Sequence, residues 1–198
     1  MASDTYRTIA APAQGIYKEK GSKFIALAYP VSTEEEIKDI YAQLKKEYFD
    51  ARHHCFAFML GAAGTRYRAN DDGEPNHSAG DPILGQIRSA GLTNILVVVV
   101  RYFGGIKLGV SGLIQAYREA AAAALAAART VEKVETAAMA IAFDYSLMNP
   151  VMSLVKELKL EVREQDFALS CRLVVTVRRN LIQQVLDKLA GIAEATLL

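Results

Sequence analysis

The sequence of 198 residues predicts an α+β protein with two domains, and three observations support this prediction. Strand-like and helix-like apolar patterns alternate along the whole chain. The uninterrupted apolar run Ile95–Val100 is typical of a central strand covered on both faces. Beyond Lys133 the predicted elements follow the order βαββαβ, which is that of a ferredoxin-like domain. We therefore expect an N-terminal domain over residues 1–133 and a C-terminal domain over residues 136–198.

In the N-terminal domain, each element is predicted from its pattern and its end signals. Glu34, Glu35 and Glu36 place acidic residues where a helix begins, and Asp81 with Pro82 forms a plausible start for another helix. Glycines mark the turns between the elements. The predicted order is strand 23–29, helix 33–46, strand 53–60, return strand 66–68, helix 81–91, strand 95–100, a glycine-rich turn 104–112 and helix 113–129.

The C-terminal domain is predicted from shorter patterns of the same kind. Asn149 and Pro150 open one helix, and a second amphipathic pattern begins at Leu181. The predicted order is strand 137–143, helix 149–158, strand 160–163, strand 168–177, helix 181–189 and strand 193–197.

Composition and charge exclude several classes of protein. Hydrophobic residues make up 52% of the chain and charged residues 23%, which excludes fibrous and largely disordered proteins. The net charge of +1 gives no overall attraction to nucleic acid or to an anionic membrane. However, residues 82–118 contain no acidic residue, and we expect a local positive field there. The two cysteines lie far apart in sequence, and no signal peptide or membrane-spanning run is found, so a cytoplasmic protein is expected.

The first candidate motif is Arg52-His53-His54-Cys55, which precedes an apolar strand. Because side chains alternate along a strand, Arg52 and His54 are expected on one side of the sheet. Adjacent histidines on a strand diverge and do not converge on one metal ion, which weakens the prediction of a zinc site. A structural or hydrogen-bonding role for these histidines is the alternative.

The second candidate is the polar loop from Asn70 to Pro82. It concentrates the residues that we single out as a candidate functional loop, namely Asp71, Asp72, Gly73, Glu74, Pro75, His77 and Ser78. Asp71, Asp72 and Glu74 are weak candidates for binding a divalent metal through oxygen, or for general acid catalysis through a raised pKa. The alternative is a turn-rich loop whose polar side chains cap the backbone and the next helix.

The third candidate is the glycine-rich turn between Arg101 and Leu113, which follows a buried strand and leads into a helix. This arrangement points backbone N–H groups at an anion. It resembles a phosphate-binding loop, but Val110 stands where the lysine of that motif is required, so a nucleotide hydrolase is not predicted. We predict an anion-binding helix start at Gly109, Ser111 and Gly112, with Arg101 and Lys107 nearby. Glycine selected for tight packing is the alternative.

Together these three motifs resemble the IMPACT family in its bacterial, YigZ-like form. The matching segments are Arg52–Cys55, Asp71–Pro75 with Ser78-Ala79-Gly80 and Pro82, and Val100–Gly109. The resemblance implies that the N-terminal domain is similar to the second domain of a small-subunit ribosomal protein. It implies further that the C-terminal domain is ferredoxin-like and similar to a domain of elongation factor G. Eukaryotic relatives with a different extra domain regulate translation during amino-acid starvation, through the activator of a kinase that phosphorylates an initiation factor. That stress-response pathway is eukaryotic and is not transferred to this chain.

From the resemblance we expect a non-catalytic regulator of translation that binds RNA, the ribosome or a translation factor, without a cofactor. Its binding surface is expected to combine Arg52, His54, Arg101, Lys107 and the helix start at residues 109–112. Tyr102 or Phe103 is a candidate for stacking on a base. No catalytic residue is assigned, because no serine or cysteine stands in a nucleophile motif. The alternative function is a metal-dependent enzyme acting on a phosphorylated small molecule, and a pure partner-binding module is a third possibility.

Overall fold

The elements of this chain divide into two units in the computed structural model, which describes residues 4–168 and 170–198. The first unit comprises residues 6–133, and the second comprises residues 134–198 together with residues 4 and 5. Asp4 belongs to the second unit because its buried carboxylate accepts hydrogen bonds from Nε and Nη2 of Arg178 at 3.1 and 2.9 Å. The hydrogen bond from Arg178 lowers the pKa of the Asp4 carboxyl below its ordinary value.

The first unit contains seven strands and three helices, with short connections between them. Thr33 caps the first helix by a capping box with Glu36, and Lys45 and Lys46 lie in the last turn of that helix, as the sequence predicts. In chain order the elements are β1 (Thr5–Ile9), β2 (Ala13–Glu19), β3 (Ser22–Pro30), α1 (Glu34–Glu47), β4 (His53–Leu60), β5 (Arg66–Asn70), α2 (Gly80–Ser89), β6 (Ile95–Tyr102), α3 (Gly109–Ala127) and β7 (Thr130–Val134).

Five of these strands form an antiparallel sheet in the order β2-β3-β6-β4-β5, while β1 pairs with β7. The predicted central strand, β6, lies in the middle of the sheet. One face packs its small and aliphatic residues against α2 and α3, and the other packs against α1. Successive residues of β6 therefore belong to opposite cores: Val97 and Val99 face α2 and α3, while Val98 and Val100 face α1. This alternation decides where the polar residues at the end of β6 lie.

The second unit has the element order β8 (Thr136–Asp144), α4 (Met148–Glu157), β9 (Glu161–Phe167), β10 (Ser170–Arg178), α5 (Ile182–Leu189) and β11 (Glu194–Leu197). Its strands form an antiparallel sheet in the order β11-β8-β10-β9. Residues of both helices share one core with β8 and β10, so the two helices cover the same face. The predicted strand 168–177 corresponds to β10, but residue 169 near its predicted start lies outside the described residues.

The mixed α and β class is confirmed, and the differences from prediction lie at particular elements. β1, β2 and β7 occur where no strand is predicted. The helix predicted from Leu113 begins at Gly109, because Gly109 takes φ +72° and turns the chain into the helix four residues earlier. Among the described residues, none of the helices combines the length and apolar character needed to cross a lipid bilayer.

Candidate functional site

A buried polar network lies where β6 ends and connects the second and third sequence motifs. The Oε1 atom of Glu74 accepts hydrogen bonds from Nη1 of Arg101 at 2.6 Å and from the hydroxyl of Tyr117 at 2.7 Å. Arg101 is 8% exposed, and the rings of Phe24 and Phe103 lie 5.5 and 5.7 Å from its guanidinium carbon. This ion pair holds the polar loop against the last residues of β6.

The polar loop is fixed at its start by Asp71. One Asp71 carboxylate oxygen accepts hydrogen bonds from the backbone N–H groups of Ala79 and Gly80 at 3.0 and 2.8 Å, and the other accepts from His77 N–H at 2.8 Å. Asp71 thus provides acceptors for the N–H groups at the start of α2. The N-cap residue, Ala79, makes no side-chain hydrogen bond to them. The capping role that the sequence allows for this loop is therefore filled by Asp71, from outside the helix.

Asp72 ties the same loop to the first residues of β4. Its Oδ2 accepts a hydrogen bond from the backbone N–H of His54 at 2.7 Å, and Oδ1 lies 3.5 Å from Nζ of Lys45. Asn70 Oδ1 accepts from the N–H of Asp72, which supports the positive φ of +41° at this aspartate. His53 Nδ1 lies 2.8 Å from the carbonyl oxygen of Asp72. The loop therefore runs beside β4 and continues the line of β5.

His54 is buried beneath α1. It is 4% exposed, and its Nε2 lies 3.1 Å from the carbonyl oxygen of Tyr48. Burial lowers the pKa of His54 below its ordinary value, against the opposing influence of the Tyr48 carbonyl and of Asp72. The imidazole is consequently neutral near pH 7, and its role is structural hydrogen bonding rather than solvent-facing contact.

Cys55 lies on the opposite face, next to the buried network. Its thiol is 2.9 Å from the carbonyl oxygen of Asp71 and 3.3 Å from the hydroxyl of Tyr117. Burial raises the pKa of the Cys55 thiol and of the Tyr117 hydroxyl well above their ordinary values. Both groups therefore remain protonated, and the thiol has none of the character of a reactive nucleophile.

The segment after β6 presents apolar side chains to solvent. Phe103 is 57% exposed and Ile106 is 56% exposed, and Lys107 lies beside them in the chain and is exposed as well. Gly104 anchors the segment: its N–H donates to Oγ of Ser22, and a Cβ built on it would lie 1.9 Å from the carbonyl carbon of Gly21. At Gly104 the alternative of glycine for tight packing is thus the one the geometry favours.

The start of α3 continues this exposed segment. The preceding residue, Leu108, provides no side-chain cap, and the first turn contains no acidic residue. Gly109, Val110 and Ser111 are exposed. The free N–H groups of a helix start carry a partial positive charge. We define the loop surface as Phe103–Lys107 together with Gly109–Gly112.

The predicted binding residues do not all share one surface. Arg101 belongs to the face of α2 and α3, and Tyr102 and His54 belong to the face of α1. Arg101 lies below the surface in an ion pair, which corrects the expectation that its guanidinium is free to hold phosphate. His54 is likewise buried. Lys107 with the α3 start lies in the loop surface, and Arg52 is exposed just before β4.

The remaining loop residues are divided between structure and surface. Ser78 is buried and donates to the carbonyl of Pro75 at 2.6 Å. Gly73 takes φ +86° and, like Pro75, is exposed. His77 lines an open groove of about 550 Å³ between α2 and α3, with Nδ1 2.6 Å from Oδ2 of Asp81.

The three candidate metal ligands serve three different partner sets. Asp71 binds backbone N–H groups, Asp72 binds His54 N–H and Lys45, and Glu74 binds Arg101 and Tyr117. Within residues 4–168 and 170–198, no group of three or more histidine, cysteine, aspartate or glutamate side chains is arranged to hold a metal ion. The geometry therefore does not bring Asp71, Asp72 and Glu74 together as one set of oxygen ligands.

Tyr117 is the residue of this site that the sequence motifs do not identify. It is fully buried, and its ring packs edge-on against Phe24 with centroids 5.1 Å apart. The available signal is its position: it is a single large polar aromatic residue in a helix of small residues. A buried phenol requires a hydrogen-bond partner, and Glu74 provides one.

Comparisons with known proteins agree with the three motifs. A family model described as the Impact N-terminal domain matches residues 20–125, a range that contains the polar loop, the buried network and the loop surface. The IMPACT family member YvyE of Bacillus subtilis (strain 168) is 36% identical over 147 residues, which is 74% of this chain and 68% of that protein. The IMPACT family member YigZ of Escherichia coli (strain K12) is 30% identical over 190 residues, covering 95% of this chain and 93% of that protein. A solved structure described as a hypothetical protein has a TM-score of 0.75 at 28% identity and covers 100% of this chain and 98% of its own.

Proposed function

Because this chain belongs to the IMPACT family, we propose that it is a translation-associated regulator without catalytic activity, and that it binds ribosomal RNA through the loop surface. The observation that carries this proposal is the combination, on one segment anchored at Gly104, of an exposed aromatic ring, a lysine and an uncapped helix start. Aromatic rings stack on bases, and cationic groups and helix N–H groups bind phosphate.

The buried network supports this function by holding the loop surface in place. The pairing of Glu74 with Arg101 ties the polar loop to the end of β6, from which the loop surface continues. A preorganised surface loses less conformational entropy on binding. The residues of the second and third motifs thus divide into a buried support and an exposed contact surface.

The fold assignments implied by the family resemblance form part of the proposal. We assign the first unit to the type of the second domain of a small-subunit ribosomal protein, and the second unit to the ferredoxin-like type found in elongation factor G. The antiparallel order β11-β8-β10-β9, with both helices on one face, supports the second assignment. Both domain types occur in ribosome-bound proteins, and such a site of action lies in the cytoplasm. Fold analogy alone does not identify the binding partner.

The proposal is tested by co-sedimentation with purified bacterial ribosomes and separated subunits across a salt series. Wild type is compared with Phe103→Ala and Lys107→Ala, and with the control variants Tyr145→Ala and Lys38→Ala, whose side chains are exposed elsewhere. We expect Phe103→Ala to weaken binding about fivefold or more, since stacking contributes about 1–3 kcal/mol per base. Lys107→Ala should lower the salt slope by about 1. Unchanged binding in both loop variants, or an equal loss in both controls, would refute the proposal.

A further inference from the structure

Part of the α1 face of the five-stranded sheet has no covering helix. The residues of edge strand β2 that face this side, Gln14, Ile16 and Lys18, are exposed, whereas the alternating residues are partly covered on the α3 side. Ile16 is 46% exposed and pairs with Ile25, which is buried beneath α1. The helix therefore covers the centre of the sheet and leaves the β2 edge open.

A row of basic residues crosses this face at the end of the sheet where β6 ends. Lys18 on β2 pairs with Lys23 on β3, and Lys23 pairs with Tyr102 on β6. Residues that pair directly across an antiparallel sheet lie on the same face. Arg52 immediately precedes His53, whose partner is Arg101, and so comes at the same end of the sheet. Since neighbouring strands are about 4.8 Å apart, the row from β2 to β4 spans about 14 Å.

The cations of this row are free to bind an external anion. The side chains of Lys18, Lys23 and Arg52 take part in no hydrogen bond or ion pair within residues 4–168 and 170–198. One carboxylate, that of Asp50, is bonded to the row: it accepts a hydrogen bond from the hydroxyl of Tyr102 at 2.7 Å. Burial and this hydrogen bond raise the pKa of Tyr102 to about 12, so the phenol stays neutral.

We propose that this row, Lys18, Lys23, Tyr102 and Arg52, binds single-stranded RNA. The three cationic side chains bind phosphates, and the half-buried Tyr102 ring, held by Asp50, provides a stacking position among them. A sheet surface with an aromatic ring and flanking cations suits unpaired bases, which a duplex does not expose. An acidic protein segment would use the charges but not the ring.

This surface is distinct from the loop surface. Arg101 and Tyr102 are consecutive residues on β6 and belong to opposite faces, so the row lies on the α1 face and the buried network on the other. The inference extends the proposed function by a second RNA contact. It rests on the proposed function only for the identity of the RNA as ribosomal, because RNA binding by the row is argued from its own residues.

The inference is tested by fluorescence anisotropy with a labelled oligouridine RNA and with an RNA duplex of equal length. The double variant Lys18→Ala, Lys23→Ala is compared with Lys38→Ala, Lys156→Ala, which removes two exposed lysines from helices. Binding to the single strand should weaken tenfold or more in the first variant only. Its log–log salt slope should fall by about 1.4, since each phosphate contact contributes about 0.7.

Two further comparisons decide whether the ring takes part. Tyr102→Phe should retain most of the binding, whereas Tyr102→Leu should lose at least fivefold while keeping its thermal unfolding midpoint close to that of Tyr102→Phe. Equal affinity for duplex and single strand, or equal loss in both double-lysine variants, would overturn the inference. Displacement of the RNA by polyglutamate with no loss in Tyr102→Leu would assign the row to an acidic protein partner instead.

The loop-surface variants separate this inference from the proposed function. Phe103→Ala and Lys107→Ala should leave oligouridine binding unchanged while weakening ribosome binding. If wild type does not bind oligouridine and the loop variants lose ribosome binding, the RNA-binding role of the row is refuted and the proposed function is retained. If wild type binds oligouridine through the row and the loop variants keep ribosome binding, the role of the loop surface is refuted and that of the row is retained.

Discussion

Removing the Glu74 charge should destabilise the first unit more than any surface change. In Glu74→Gln, the Arg101 guanidinium stays buried at 8% exposure without its counter-charge. At about 4 Å between charge centres and an effective dielectric constant of about 20, the lost attraction is about 4 kcal/mol. Breaking one partner of a buried pair costs about 3–5 kcal/mol in other proteins, because the remaining charge is still desolvated.

The loss should be much smaller when both charges are removed. We expect the double variant Glu74→Leu, Arg101→Met to be more stable than Glu74→Gln, since replacing a buried pair by apolar residues is often neutral. The control is Glu119→Gln, in which a carboxylate on α3 loses its charge next to an exposed Gln115. This change should alter stability by no more than about 0.5 kcal/mol.

The measurement is urea-induced unfolding followed by far-ultraviolet circular dichroism, with wild type and the three variants at one pH and one salt concentration. A decrease of less than about 1 kcal/mol for Glu74→Gln would refute this reasoning, since it would mean that the Arg101 charge is solvated without Glu74. A double variant no more stable than Glu74→Gln would also contradict it, because removing both charges leaves no unpaired buried charge.

Three other predictions follow from single features of the site. Gly104→Ala should destabilise the first unit by more than about 1 kcal/mol in thermal or urea unfolding, because the new Cβ would lie 1.9 Å from the carbonyl carbon of Gly21. The control Gly85→Ala, which lies in open space within α2, should stabilise it by about 0.5–1 kcal/mol, and equal effects of the two changes would contradict the close approach at Gly104. Burial lowers the pKa of His54 in the folded chain, so below the unfolded pKa of about 6.5 the unfolded chain binds more protons than the folded chain. The contribution of His54 to the free energy of unfolding should therefore be complete above that pH and decrease from there down to the folded pKa. The decrease should be smaller in His54→Gln, and identical pH profiles of unfolding for the two proteins would refute this prediction. Burial and a raised pKa protect the Cys55 thiol from alkylation, and Cys171 is buried as well, so thiol-specific reagents should label both cysteines only at the rate of unfolding. Rapid labelling of the native protein at neutral pH would contradict this, since it would show that the Cys55 thiol is accessible.

The strands that were not predicted show what sequence patterns leave out. β2 contains Gly15, and glycine inside a strand weakens the pattern from which strands are predicted. The structure gives the reason for this glycine: a Cβ at Gly15 would lie 2.3 Å from the backbone nitrogen of Ala124 in α3. The alanine-rich helix indicates close packing from one side, but its partner strand becomes visible only when the two elements are brought together.

The site shows the same division between local and tertiary information. The three motifs locate the loops and the start of α3, because turn residues and helix signals depend on neighbours in sequence. The role of Arg101 depends on Glu74, which is far away in the chain, and on the burial of both. An acid-free stretch of sequence therefore predicts a positive surface at Arg101, whereas an acid from another loop neutralises that charge in the folded chain.

This neutralisation changes which cations are available for RNA. Arg101 and His54 support the fold from within. The cations that remain accessible in this part of the fold include Lys107 beside α3 and the basic row, in which Lys18 and Arg52 are exposed and Lys23 is partly buried. Two of the row residues, Lys18 and Lys23, lie outside the three motifs and meet Tyr102 only through the register of β2, β3 and β6. Because the row and the loop surface lie at the same end of β6, a strand of RNA that contacts both must pass around that end of the sheet. Substitutions in both surfaces should then weaken ribosome binding by more than either alone.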